Sequence, residues 1–297
     1  MPVDLHLVSL RASDGAVHDA MLAIDERATR RRERMTGRRT ACVHMHGLFG
    51  NFLVGTLRFL APQVARDGYP VLVVETRLGN VGQLFGPGIF DLARRDVDAG
   101  VRWLREEGWS HLIAMGYSSG ASLAARWVAT SHVPWLRGLA LLGAPWGLPE
   151  ALEARSRQWG AEPDYDTVFA RAREVAESPD PAEADRLFVI ERSRGPTRTP
   201  RDSEVYTYLT WWHSRGPKAD SAKTHLQMPG VWAPLLLMNG TEDETVRAQE
   251  AEDLARLARE AGNPDVEVRL VEGADHTFGG HEVRTMNNLL PWIRSHA

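Results

Sequence analysis

A serine stands between two glycines in "GYSSG", Gly116 to Gly120. An apolar run, "HLIAMG", leads into it, and a helical pattern, "SLAARWVAT", follows at once. A tight turn alone would account for the glycines. The other reading is that Ser118 is a nucleophile. A sharp turn from strand to helix lifts a hydroxyl clear of a sheet. Small residues on either side let neighbouring backbone come close, and the helix N-terminus favours developing negative charge. A serine hydroxyl is weak at neutral pH, so it needs a base beside it and an acid to orient that base. The base is expected after the last strand, where "VEGADHTFGGHE" offers His276. His281 is the near alternative, inside the helical pattern that follows. The acid is expected in "LLLMNGTEDETV", with Asp243 ahead of Glu242, and Glu244 beside them. An oxyanion also needs donors. The backbone N–H of Ser119 is one, and Leu48 or Phe49 in "HGLFGN" offers the other, with Leu48 preferred. His44 and His46 are two apart on one strand, but no third or fourth ligand is spaced for a metal site.

The elements around these residues must present them together. Val3–Arg11 and Ala16–Ile24 alternate apolar and polar residues around "SDG", the pattern of an antiparallel hairpin. The basic stretch 26–39, "ERATRRRERMTGRR", reads as a solvated surface loop. Thr40–Gly47 reads as a strand, 51–68 as a helix containing Pro62, and "YPVLVVETR" as a buried strand. Asp91 is the expected N-cap of a helix that ends at Gly108. "LRGLALLGAPW", "WAPLLLMNG" and "DVEVRLVEG" read as further strands, with helices after the last two. The alternation implies a mostly parallel β-sheet flanked by helices on both faces. Residues 147–228 break the rhythm. They read as a largely helical insertion with two loops, "ESPDPAEAD" and "RSRGPTRTPRDSE".

The bulk numbers restrict the function classes. At 297 residues, 43% hydrophobic and 25% charged, the chain is an ordinary globular one with a sizeable core. A net charge of -4 gives no bias toward nucleic acid or an anionic membrane. No apolar run reaches the roughly 18 residues of a membrane helix, and the first residues do not read as a signal peptide. The one cysteine, Cys42, falls in a predicted buried strand and is expected to be inert. A cytoplasmic setting is therefore expected. The oligomeric state is not written in the sequence.

Taken in order, "HMHGLFG", "GYSSG", "NGTEDETV" and "GADHTF" resemble the α/β-hydrolase fold family, over residues 1–146 and 229–297. The resemblance implies Ser118 as nucleophile, Asp243 as acid and His276 as base. It makes His46-Gly47 the turn before the oxyanion loop, and 147–228 a cap or lid. It implies a serine hydrolase acting on a small to medium carboxylic ester, lactone or thioester through an acyl-enzyme, without cofactor or metal. Haloalkane dehalogenases and epoxide hydrolases resemble this fold but carry aspartate where this chain has Ser118. Carbon–carbon bond hydrolysis, acyl transfer and a non-catalytic binding role stay open, because fold does not fix function.

A small-molecule partner would meet apolar walls drawn from Phe49, Phe52, Tyr117, Trp146, Trp211, Trp212 and Phe278. In "YTYLTWWHSRGPKADSAKTH" (Tyr206–His225) two tryptophans precede Arg215, Lys218 and Lys223. These cations offer a place for an anionic group on the substrate. The plainer expectation is that the tryptophans hold the insertion to the core and the cations are solvated. Tyr117 is expected to pack beside the turn, and Arg77 to form an ion pair.

Overall fold

The computed structural model describes residues 2–47, 50–52, 57–79, 89–177, 180–184, 186–192 and 202–297. The chain opens with β1 (Asp4–Arg11) and β2 (Val17–Ile24), then α1 (Glu26–Thr36), β3 (Thr40–Met45), α2 (Leu60–Arg66) and β4 (Val71–Val74). Next come α3 (Phe90–Glu106), β5 (His111–Tyr117), α4 (Ser119–Thr130) and β6 (Leu136–Leu142). Between β6 and the next strand of the main sheet lie α5 (Leu148–Trp159), β7 (Ala161–Glu162), α6 (Tyr165–Glu177), α7 (Pro181–Ala184), β8 (Leu187–Arg192), β9 (Asp202–Thr207), α8 (Tyr208–Arg215) and α9 (Thr224–Gln227). β10 (Leu235–Gly240), α10 (Ala248–Glu260), β11 (Val266–Val271) and α11 (Glu282–His296) complete the fold.

The main sheet has eight strands in the order β1-β2-β4-β3-β5-β6-β10-β11. β1 and β2 form the expected hairpin, paired from Asp4↔Ile24 to Arg11↔Val17. β2 runs antiparallel to β4, and the strands from β4 to β11 are parallel. Every residue of β3, β4 and β10 is buried, because helices cover both faces of a parallel sheet. One apolar cluster joins the sheet to α3, α4 and α10, and the other joins it to α2 and α11. The chain passes from β3 to β4 on one side, then crosses back to lay β5 on the other side of β3. Crevices open where strand order reverses in this way, at the carboxyl ends. Both Gly47 and Ser118 follow strands at that point.

Several local expectations need correction. The basic stretch is a helix, α1, rather than a loop. Its arginines, glutamates and alanine are good helix formers, and both ends are capped. The Asp25 carboxylate accepts from the Ala28 N–H at 2.9 Å, and Gly37 closes the helix at φ 67°. The helix expected over 51–68 is confined, within the described residues, to Leu60–Arg66, with Pro62 tolerated in its first turn. Asp91 is not the N-cap of α3. Ile89 holds that position, and Asp91 in the first turn pairs with Arg126 at 3.0 Å.

The region 147–228 is largely helical, as expected, but it also contains strands. β7, β8 and β9 form a three-stranded antiparallel sheet, and β9 takes the end of a stretch read as loop. This region has its own apolar cluster, built on Leu152, Val168, Ala172, Ile190, Tyr206 and Trp211. No helix among the described residues is long and apolar enough to cross a membrane.

Candidate active site

β5 delivers the chain to Ser118, whose φ of 53° and ψ of -121° are costly for a residue with a side chain. The turn is held from both sides. The Ser118 N–H donates to the Leu142 carbonyl of β6 (2.9 Å), and its own carbonyl accepts from the Ala121 N–H (2.9 Å). The flanking glycines are required by contact rather than by dihedral. A Cβ on Gly116 would lie 2.4 Å from the Gly120 carbonyl oxygen, and one on Gly120 would lie 2.2 Å from that of Met45. The turn therefore presses α4 against the end of β3.

Above this turn the loop after β11 brings in His276. Its Nε2 lies 3.0 Å from Ser118 Oγ, and its Nδ1 lies 2.8 Å from Asp243 Oδ2. Asp243 follows β10 and is buried. Its other oxygen accepts from the Thr245 and Val246 N–H groups, each at 2.8 Å, so the carboxylate cannot swing away. The alternatives lie elsewhere. Glu242 and Glu244 are exposed, and His281 stands at the start of α11 with Nδ1 near the Gly279 carbonyl (3.3 Å).

The His276 loop is clamped. Tyr117 donates its hydroxyl to the His276 carbonyl (2.9 Å), and the two rings sit 5.2 Å apart. Asp275 accepts from both the N–H and the hydroxyl of Thr277. Gly143, at φ 57°, makes room for the imidazole, since a Cβ there would be 3.0 Å from Cε1. Tyr117 thus holds the His276 loop in addition to packing beside the turn.

The first residue of α4, Ser119, has a backbone N–H with no partner inside the helix. Leu48 and Phe49, the other oxyanion and wall candidates from the β3 loop, lie outside the described residues. The residue before that loop is anchored. His46 Nδ1 lies 2.8 Å from the Gly47 carbonyl, and its Nε2 accepts from the Thr76 N–H at 3.2 Å. Nδ1 therefore carries the proton and donates it. Burial pushes His46 toward the neutral form and lowers the His44 pKa to about 3.

The remaining candidates separate into two groups. Trp146 follows β6 and lies flat on the His225 ring, 4.5 Å between centroids. Its N–H donates to Glu250 (2.6 Å), and its carbonyl accepts from the His225 N–H (3.0 Å). His225 and Glu250 were not found by sequence reasoning. Nothing local in the sequence marks either of them; Glu250 also accepts from the Arg247 N–H at 3.0 Å. Trp211 and Trp212 belong to the cluster of the inserted region, packed against Tyr165 and Phe169, each at 5.7 Å. Phe278 is fully buried in the core, and Phe52 packs at its edge. Lys218 is exposed, and Lys223 pairs with Asp220 at 2.7 Å. Arg215 departs from the expected solvated state, because it is buried. Arg77 forms ion pairs with Asp96 (2.6 Å) and Asp14 (2.9 Å). Cys42 is fully buried, which pushes its thiol far above the ordinary range.

Residues 201–297, which carry Asp243 and His276, match the prolyl oligopeptidase family. A search of curated proteins returns no match. Among solved structures the chain is similar to an esterase of Pyrococcus furiosus, with 16% identity, 99% of this chain and 92% of that chain covered, and a TM-score of 0.65. It is also similar to the esterase domain of a Rhodothermus marinus protein (17%, 99% and 99%, 0.62). A third is Est1E from Butyrivibrio proteoclasticus (11%, 100% and 99%, 0.62). With its sheet order, the strained turn after β5 and these whole-length likenesses, the chain has the α/β-hydrolase fold.

Proposed function

We propose that this chain is a serine hydrolase that cleaves a carboxylic ester, lactone or thioester through an acyl-enzyme. The observation that carries the reading is the contact series from Ser118 Oγ through His276 to Asp243, at 3.0 and 2.8 Å. In this reading Nδ1 donates to Asp243, which leaves Nε2 free to take the serine proton. Ser118 Oγ attacks the carbonyl carbon, and the oxyanion is received by the N–H of Ser119 and that of Leu48. His276 then protonates the leaving group. Water, deprotonated by the same imidazole, releases the acid and restores Ser118. Residues 147–228 act as the cap, and Trp146, Tyr117 and Phe49 are the proposed walls. No metal or organic cofactor enters these steps. The single buried Cys42 supports a cytoplasmic setting.

The test is labelling with a fluorophosphonate, read by intact-protein mass spectrometry, with Ser118→Ala as control. The expected result is one adduct, absent from the variant, and a loss of ester turnover on the order of 10⁴-fold or more. A variant that keeps its rate would overturn the assignment. The prolyl oligopeptidase match over 201–297 favours a second reading, in which the same three residues cleave a peptide bond. Parallel assays with a peptide amide and an acyl ester separate the two.

A further inference from the structure

Arg215 ends α8 and is only 3% exposed. A guanidinium has five N–H donors and no way to lose its charge. Two of them are used, both weakly. Nε donates to the Tyr206 hydroxyl at 3.4 Å and Nη1 to the Ser214 carbonyl at 3.3 Å. Three donors, including both on Nη2, have no protein acceptor among the described residues. No described carboxylate lies within ion-pair distance. Tyr206 donates to Glu204 at 2.7 Å, so one hydroxyl separates that charge from Arg215. The nearby hydroxyls are occupied with each other. Thr207 donates to Thr210 (2.9 Å), and Ser214 donates to the Thr210 carbonyl (2.5 Å). Arginine is almost never buried unless paired, and here the Glu204 carboxylate is reached only through the Tyr206 hydroxyl. A guanidinium edge grips a carboxylate with two parallel bonds, and both donors of Nη2 and one of Nη1 are unused among the described residues.

The position links Arg215 to the proposed nucleophile. The turn at 220–222 packs against both α8 and α4. Just beyond it, the Thr224 hydroxyl lies 2.8 Å from Ser122 Oγ, one helical turn past Ser118. α8, which Arg215 ends, therefore packs against the segment that meets the helix behind the candidate nucleophile.

We propose that the open fork of Arg215 binds a carboxylate, and that the substrate is an ester carrying a free carboxylate group. This rests on the hydrolase reading above and names its substrate class. The first test is thermal unfolding of wild type and Arg215→Met with succinate, glutarate or adipate, at ionic strength matched with sodium chloride. At least one dianion is expected to raise the wild-type Tm by about 3 °C, as weak specific binding would, and to leave the variant unmoved. The second is kinetic. The kcat/KM ratio of the mono-4-nitrophenyl ester of the same diacid to 4-nitrophenyl butyrate should exceed tenfold in wild type. It should fall at least tenfold in Arg215→Met. If that variant does not fold, Arg215→Lys, which keeps charge but not the fork, should lose most of both effects. Absence of any Tm shift in wild type, an equal shift in the variants, or an unchanged ratio would overturn the carboxylate site. Turnover of the butyrate ester and labelling of Ser118 report separately on the hydrolase reading. The Tm experiment decides the carboxylate site even if no ester is cleaved.

Discussion

Arg77 and Arg215 are equally buried, at 3% exposure each, and differently provided for. Arg77, just past β4, is met by Asp96 through bonds as short as 2.6 Å and by Asp14 at 2.9 Å. Its own N–H donates to Asp96 as well. The result ties the β1–β2 hairpin and α3 to the segment that also holds His46 through Thr76. Arg215, in the inserted region, has a hydroxyl and a carbonyl at the edge of hydrogen-bond range. The same side chain at the same burial thus marks a finished ion pair in the core and an open one in the insertion. In the first region charge is spent on holding elements together. In the second, no carboxylate among the described residues meets the guanidinium, and the proposed ligand would supply one.

Breaking the finished pair should have the largest effect. Arg77→Met leaves Asp96, 1% exposed, without its cation. Removing one partner of a buried pair costs about 3–5 kcal/mol, so urea unfolding should show a loss in that range. A loss under 1 kcal/mol would mean that His18, 3.5 Å from Asp96, or solvent takes over the pairing.

Acid should sharpen the contrast with a smaller effect. The hydrogen bond from Arg77 lowers the Asp14 pKa from 3.8 to about 2. A depressed carboxylate stabilises the fold fully above its unfolded value and loses that contribution as pH falls through its folded value. The stability gap between wild type and Arg77→Met should therefore be constant above about pH 4 and narrow toward pH 2. A gap that does not change across that window in urea titrations would remove Asp14 from the pair.

The smallest effect is expected from the open pair. Arg215→Met removes a charge with no carboxylate within ion-pair distance among the described residues, so stability should stay within about 1 kcal/mol of wild type or rise. A drop as large as that of Arg77→Met would show that the two arginines are alike, and the open fork would then be structural.

Much of the core was legible because its cues are local. Alternating β1 and β2, the wholly apolar β4 and the glycine-flanked Ser118 each declare themselves within a few residues. The candidate site was legible as a set of strand ends, which is why Asp243 and His276 could be named before their contact was seen. Errors came where local composition has two solutions. Arg-rich 26–39 suits a solvated loop as well as a helix, and the caps at Asp25 and Gly37 settle it. Asp91 has the right type for an N-cap but stands two residues too late. β7–β9 escaped because short strands amid proline and charge carry little periodicity.

The sequence by itself determined the alternation of strands and helices, the position of the glycine-flanked serine and the order in which the candidate acid and base follow it. These depend on propensity and spacing along the chain. Tertiary structure alone decided that Asp243 rather than Glu242 faces His276, that Tyr117 and Gly143 shape the histidine's seat, and that His225 and Glu250 hold Trp146. It also decided which buried arginine is paired. Such contacts join residues tens to hundreds of positions apart, and their geometry exists only once the sheet has set the strand ends side by side.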